Sequence, residues 1–490
     1  MHGLISAPRI DLPGLAWFNS TGPIALEDLR GRLVILDFWT FCCINCMHVL
    51  PVLKAIEEAW PREVAVIGVH SPKFAAERDA RNVADAITRY DIRHPVIHDP
   101  GMLIWRAYAI RAWPTLVFIA PDGKIVGELP GEPDRDRLMA GIEEMLASWR
   151  GEGILRPGEA GLDLEAPAHN SARLSYPGKI KPVPGEPTCW AVADSGHHQI
   201  VIFDDGGREL GRYGSGRPGF ADGAASEASF MSPQGLAAER EAIYVADTGN
   251  HAIRRIALVD GHVTTLAGNG KRGRPLTWRS RPGVEVELAS PWDLELRDGR
   301  LYLANAGTHQ LGVMDVGNGT LRALAGTGAE NLADGPADTA LLAQPSGLAL
   351  GPSGSTLYFA DSEISAIRAL TLGSDAEVAT LVGTGLFDFG DANGAFAEAA
   401  LQHPLGLAWW KDGLVVADSY NGRLRYLDLN KQTVSDVGET NFACEGPVCL
   451  PAGEPAGVAV AGTDRLLVAD TNNHRIVEVR VAARSLRVWA

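Results

Sequence analysis

Residues 39–51 read Trp39-Thr40-Phe41-Cys42-Cys43-Ile44-Asn45-Cys46-Met47-His48-Val49-Leu50-Pro51, and they hold three of the chain's six cysteines. The run lies between an apolar strand pattern, Leu33 to Phe38, and a helical one in which Val49, Leu53, Ile56 and Trp60 recur on one face. Cysteines at a strand-to-helix junction sit where helix N-terminal amides and the helix dipole lower a thiol's pKa. The stretch reads as a thiol redox site on an α/β framework.

Outward from this point the α/β pattern continues to about Arg150. Strands are expected at Leu33 to Phe38, Val64 to Val69, Leu116 to Ile119 and Ile125 to Leu129, and helices at Phe74 to Tyr90 and Asp134 to Trp149. Residues 151–172 lack sustained periodicity and carry several Gly, Pro and Ala, so a linker is expected there. The division is 1–150, a linker over 151–172, and 173–490.

Beyond the linker the chain repeats itself. A strand, a turn carrying Asp and often Asn-His, and a second strand recur six times, beginning at Trp190, Tyr244, Leu301, Leu357, Leu414 and Leu466. The turn residues Asp194, Asp247, Asn305, Asp361, Asp418 and Asp470 are separated by 53, 58, 56, 57 and 52 positions. Five copies follow a second shared element, such as Ser-Pro-Gln-Gly-Leu-Ala from Ser232, and several precede a third, such as Thr-Leu-Ala-Gly-Asn-Gly from Thr265. Short strands at this period, crowded with Gly, Pro and β-branched residues, suit a six-bladed β-propeller rather than a helical solenoid. Each turn Asp is expected to accept hydrogen bonds from its own turn amides. For the outer strand of the last blade, Ser485 to Trp489 competes with Leu162 to Glu165.

The Asp-Thr-Gly-Asn-His style repeats resemble NHL repeats, and the N-terminal part resembles the thioredoxin fold in its TlpA-like branch. With its Cys-Cys-Ile-Asn-Cys run, the chain is similar over nearly all its length to thioredoxin-domain-containing NHL-repeat proteins. Animal members carry a further C-terminal β domain, for which no residues follow the sixth repeat. The resemblance implies Cys43 as the attacking thiol, Cys46 as the resolving thiol and Asp37 as a buried acid handling protons for Cys46. It places Pro51 where the active-site helix is kinked, and Pro114, within Trp113-Pro114-Thr115, as a cis-proline facing the pair. Trp39 and Asn45 are accessory to the site. Two departures stand out: Cys42 replaces the usual Trp, and Ile44-Asn45 replaces Gly-Pro.

Cys42 has a bland reading, a small apolar side chain filling the lost Trp's place. The alternatives are a third redox partner or, with Cys46 and His48, a soft metal site. The expectation is no metal and no cofactor. His70, His94 and His98 are expected in loops. Cys444 and Cys449 flank Glu-Gly-Pro-Val and could pair or remain thiols, and Cys189 opens a blade strand as a core residue. His198, His251, His309 and His474 share one repeat column, which reads as a shared local turn solution rather than a metal ring. No unlike residue stands out inside the propeller channel, so an enzyme of the channel is the weakest reading.

A net charge of −16 and the absence of any apolar run of membrane-spanning length exclude nucleic acid and membrane as the leading partners, although a local basic patch is compatible with both figures. The start lacks a secretory pattern, and a cytoplasmic location is expected. Two functions compete: a thiol-disulfide oxidoreductase exchanging with a protein client or reductant, its propeller binding clients or partners, and a non-catalytic scaffold with a degenerate or redox-sensing thioredoxin domain.

Overall fold

The computed structural model describes residues 5–158, 172–437 and 453–490, with the backbone of the short strand Ala443–Cys444. The chain divides into two compact units, Met1–His169 and Asn170–Ala490. Most of the expected linker lies outside the described residues.

The first unit contains β1 (Ile5–Ser6), β2 (Ala16–Phe18), β3 (Leu33–Trp39), α1 (Ile44–Ala59), β4 (Val64–His70), α2 (Ala80–Arg89), β5 (Val96–His98), α3 (Leu103–Ala107), β6 (Thr115–Ile119), β7 (Lys124–Pro130) and α4 (Arg135–Glu152). They build one sheet in the order β1-β7-β6-β3-β4-β5-β2. β3 is central, parallel to β4 and antiparallel to β6. Its apolar run, broken only by Asp37, is what a strand covered on both faces requires, and all seven of its residues are buried. Side-chain alternation splits the core in two. Val34, Leu36 and Phe38 face one cluster. Leu33 and Ile35 join Val49, Leu53 and Ile56 of α1, with Ile142 and Leu146 of α4, in the other. The same alternation carries Asp37 and Trp39 to the α1 face.

The helix expected over Phe74 to Tyr90 is shorter. A 3-10 turn at Ala76–Arg78 comes first, and α2 starts after Asp79, whose side chain caps it by accepting the Arg81 amide at 2.9 Å. The reason is Glu77, which ties up the amides of Lys73 and Phe74. α4 runs to Glu152 before Gly153 ends it at φ 71°.

The second unit is a six-bladed propeller. Each blade is built on four consecutive antiparallel strands, spanning 177–213, 235–267, 291–325, 345–382, 406–436 and 455–488, and in the last four blades a two-residue strand joins the outer edge. The last outer strand is Ser485–Val488, paired to Arg475–Arg480. Leu162 to Glu165, the competing segment, lies outside the described residues.

The turn aspartates accept no backbone amide of their own turns, where Oδ2 takes only side chains such as Asn250 and Asn421 at 2.8 Å. In every blade Oδ1 accepts an amide 16 to 19 residues upstream, just before the innermost strand: Ser175 to Asp194, Met231 to Asp247, Ala289 to Asn305, Ala343 to Asp361, Gln402 to Asp418 and Gly453 to Asp470, at 2.6–3.0 Å. The aspartate thus fixes the entry of the inner strand within its blade. The next residue clips one blade to another. Hydroxyls of Ser195, Thr248, Ser362, Ser419 and Thr471 donate at 2.5–2.8 Å to the carbonyls of Pro233, Pro291, Pro404, Pro455 and Pro177, each at the inner strand of the following blade. The histidine column adds a second clip. Nδ1 of His198, His251, His309 and His474 accepts the amides of Ser232, Ser290, Gln344 and Tyr176 at 3.0–3.1 Å. These acceptor nitrogens account for the column without a metal.

The channel does hold unlike residues, contrary to the sequence expectation. Neighbouring inner strands approach so closely that a Cβ on Gly347, Gly406 or Gly457 would lie 2.7 Å from a backbone oxygen of the next blade. At the matching positions the first blade has Lys179 and the third Asp293, both buried. The Lys179 ammonium donates to the carbonyls of Leu405 and Ala456, and Asp293 accepts the Leu348 amide at 3.0 Å. Repeats align by pattern, so single replacements of a glycine escape attention until the inner strands are placed side by side.

Candidate functional site

α1 starts at the cysteine cluster. Cys43 is its N-cap, with extended backbone (φ −85°, ψ 116°), and its carbonyl accepts the amides of Cys46 and Met47 at 3.1 and 3.3 Å. One turn of helix therefore carries Cys46 inward and leaves Cys43 at the rim. Exposure is 7% at Cys43 and zero at Cys46, which decides which sulfur an incoming group can meet first. Burial pushes the Cys46 thiol well above its ordinary pKa, and a hydrogen bond to Cys43 and the charge there push the same way. The two thiols are thus inequivalent.

Beneath them lies Asp37, fully buried, with neither carboxyl oxygen hydrogen-bonded within the protein. Burial raises its pKa to about 7, against a smaller opposing pull from His94. Its neighbour in the parallel register is Gly68. A Cβ there would lie 3.0 Å from Trp39 Nε1 and 3.4 Å from His94 Nε2, two further buried nitrogens lacking a partner. Gly68 therefore keeps open a polar notch. His94 Nδ1 in turn lies 3.4 Å from Glu57 Oε2 on α1, whose side chain is partly exposed. Asp37, His94 and Glu57 form a file of titratable groups from the core to the surface.

Glu77 is the residue that sequence reading missed. Fully buried, it accepts Thr40 Oγ1 at 2.6 Å, the Cys42 amide at 3.0 Å, and the amides of Lys73 and Phe74 at 2.7 and 2.9 Å. One carboxylate thus holds the loop that presents the cysteines. The contacts to Thr40 and Cys42 lie 35 to 37 residues away in sequence, and nothing in the surrounding Ala-Ala-Glu-Arg run points to them.

The remaining expected residues divide. Trp113–Pro114 is a cis peptide, and the pairing of Thr115 with Phe38 sets Pro114 at the cysteine end of β3. Pro51 lies inside α1, which continues through it. Asn45 sits half-buried in the first turn of α1, and Trp39 is fully buried against His70. Cys42 is buried, its sulfur 3.7 Å from Thr40 Oγ1. His48, considered beside Cys42 and Cys46 for a metal, has its Nδ1 2.9 Å from Glu132 Oε1 instead. Among the described residues no group of three or more His, Cys, Asp or Glu has metal-holding geometry.

The other histidines are not loop residues throughout. His70 and His98 end β4 and β5, paired by the parallel register, with their Nδ1 atoms 3.3 Å apart in the core. His98 Nε2 faces the Arg78 carbonyl and must donate, so His98 Nδ1 accepts from His70. Burial holds both below the usual histidine range. His94 lies between α2 and β5, buried as described. Cys189 opens a blade strand and is only half-buried. The backbone of Cys444 pairs with Leu486, whereas Cys449, and with it the pairing of these two cysteines, lies outside the described residues. No helix among the described residues is long and apolar enough to cross a membrane.

A thioredoxin-like family matches residues 31–125 and the NHL repeat matches 453–478. Thiol-disulfide oxidoreductase ResA of Bacillus cereus is 28% identical over 25% of this chain and 68% of its own, so the first unit is related to thiol-disulfide oxidoreductases. Protein SUPPRESSOR OF QUENCHING 1, chloroplastic, of Arabidopsis thaliana is 40% identical over 94% of this chain, which spans 45% of that protein. NHL repeat-containing protein 2 of Bos taurus is 37% identical over 97% of this chain and 70% of its own length. With a thioredoxin-like domain followed by an NHL propeller, and this identity across most of both proteins, the chain belongs to the family of NHL repeat-containing protein 2.

Proposed function

We propose that the protein is a thiol-disulfide oxidoreductase whose chemistry runs through Cys43 and Cys46. The observation that carries this reading is the inequivalence of the pair: a rim thiol on the N-cap residue of α1, a buried thiol one turn inside, and an unpartnered carboxyl on the strand below. The Cys43 thiolate attacks one sulfur of a client disulfide, that bond breaks, and the released client sulfur takes a proton. Cys46 then loses its proton toward Asp37 and attacks Cys43, freeing the second client thiol and leaving the Cys43–Cys46 disulfide. Two electrons pass from the pair to the client, and an external dithiol returns them. The Asp37 carboxyl suits the proton step, since a base with a pKa of about 7 is partly ionised at neutral pH. The propeller binds the client or partner proteins, and the reducing cytosol is the proposed compartment.

The test is dithiothreitol-driven reduction of a disulfide substrate by the native chain and by Cys43→Ser. Turnover is expected to vanish in the variant. Equal rates would reject the oxidoreductase in favour of the scaffold, the reading that the low exposure of all three cysteines supports.

A further inference from the structure

The third blade differs from its neighbours in a consistent way. In the second, fourth and fifth blades a buried arginine, Arg254, Arg368 or Arg425, joins the turn aspartate at 2.8–2.9 Å to a second aspartate, Asp222, Asp334 or Asp391, on the loop leading into that blade. The third blade lacks every member of this cluster. Its turn residue is Asn305, the arginine position is Gly312, and residues 268–281 of its leading loop contain no acid. The hydroxyl clip is gone as well, since Ala306 stands where the others have Ser or Thr. A loop freed from the shared cluster can take on other work.

What replaces the cluster is specific. Lys271, Arg272, Arg274, Arg279 and Arg281 crowd eleven positions of a chain whose net charge is −16. Trp278 among them is 43% exposed. The backbone is nevertheless pinned. Gln310 accepts the Leu276 amide at 2.6 Å and donates to its carbonyl at 3.3 Å, the Gly273 amide donates to Leu288, and the Ala323 amide donates to Thr277. Arg281–Pro282 adds a short strand to the blade edge. Beside it opens a cleft of about 400 Å³ lined by Arg274, Arg281 and Arg322 together with Glu285 and Glu287. Glu285 is 3.9 Å from Arg281 and Glu287 accepts from Asn269, while Lys271, Arg274 and Arg279 pair with no carboxylate among the described residues.

We propose that this loop is an interface for an acidic protein segment. Unpaired cations on a fixed backbone bind carboxylates without first ordering the loop, and an exposed Trp flanked by Arg is the composition that concentrates binding energy at interfaces. A short acidic peptide fits one loop, whereas a nucleic acid needs an extended basic track that the surrounding acidic protein does not offer. The inference takes up the partner-binding half of the proposed function and is independent of the chemistry at Cys43.

Binding of a fluorescein-labelled peptide of alternating Glu and Asp to the full chain, followed by anisotropy, tests it. Saturable binding that weakens with salt is expected, with a loss of about tenfold or more in R274E/R279E and a smaller loss in Trp278→Ala. Arg240→Glu, an exposed reversal on the second blade, and Cys43→Ser should bind as the native chain does. If Cys43→Ser binds normally but turnover is absent from the native chain, the redox reading fails and the interface stands. No binding at low salt, equal binding by R274E/R279E, or tighter binding of single-stranded DNA would overturn the interface.

Discussion

The two units treat a buried aspartate in opposite ways. Asp361 in the fourth blade and Asp37 in the thioredoxin-like domain are both wholly buried. Asp361 accepts the Ala343 amide and a fully buried Arg368 guanidinium, whereas Asp37 accepts nothing from the protein. Leaving a buried polar group unpaired costs about 1–3 kcal/mol, so a fold tolerates it only where something else holds the surroundings in place. Around Asp37 that support comes from two apolar clusters and from Glu77. The propeller spends its buried polarity on holding blades together; the first unit keeps one carboxyl uncommitted beside two thiols.

The contrast can be broken most severely on the paired side. Arg368→Met strands Asp361 in the core and should destabilise the propeller by about 3–5 kcal/mol. Adding Asp361→Asn should recover most of that loss, because the third blade already runs on Asn305 and Gly312. Denaturant unfolding of the single and double variants reads the difference. No recovery would mean that the charge pair is not what distinguishes the blades.

On the uncommitted side the expected effect depends on pH. With its folded pKa raised from 3.8 to about 7, Asp37 binds its proton more tightly in the folded protein than in the unfolded one. That contribution to stability is complete below about pH 4 and is lost as pH rises to about 7. Asp37→Asn should therefore be more stable than the native chain at pH 8, by up to about 4 kcal/mol, with the two converging in acid. Parallel stability curves would show that Asp37 is partnered in solution. A third variant, Gly68→Ala, sharpens the same point by crowding Trp39 Nε1 and His94 Nε2. It should lower turnover more than it lowers stability, as compared by rate and melting temperature.

The smallest effect belongs to the clips. His251→Ala removes the acceptor of the buried Ser290 amide and should cost about 1–2 kcal/mol. A His251→Asn variant, still offering an acceptor, should fall between the two in thermal unfolding. Zinc addition should shift none of them, since a metal ring would respond to the ion.

Sequence carried the architecture because it is written in local signals: an apolar run before a cysteine turn, and a strand-turn-strand unit recurring six times. It failed wherever a partner lay far along the chain. The turn aspartates resemble ordinary Asx turns until the amide 16 to 19 residues upstream is placed against them. Glu77 sits in an unremarkable Ala-Ala-Glu-Arg stretch, and its role exists only through Thr40 and Cys42. His70 and His98 read as loop residues because each ends its strand, and the parallel register alone brings them face to face. Lys179 and Asp293 are visible only as exceptions to a glycine column, a column that emerges when the inner strands are compared.

One feature of the ring bears on how it comes apart. Every blade takes its four strands from one continuous stretch, so the first and last blades share no strand. They meet through Thr471 and His474 on the segment at Tyr176–Pro177, the Arg465 guanidinium on Asp205, and Trp489 over Phe203. The seam also holds the Lys179 ammonium on the Ala456 carbonyl and the close approach of Gly457 to Gly178, yet no strand crosses it and no continuous chain spans it, so it can part without withdrawing any strand from a sheet. Backbone amides along this boundary, beginning with Tyr176, should exchange with deuterium sooner than their counterparts at Ser290 and Gln344, where the chain itself runs on from one blade to the next.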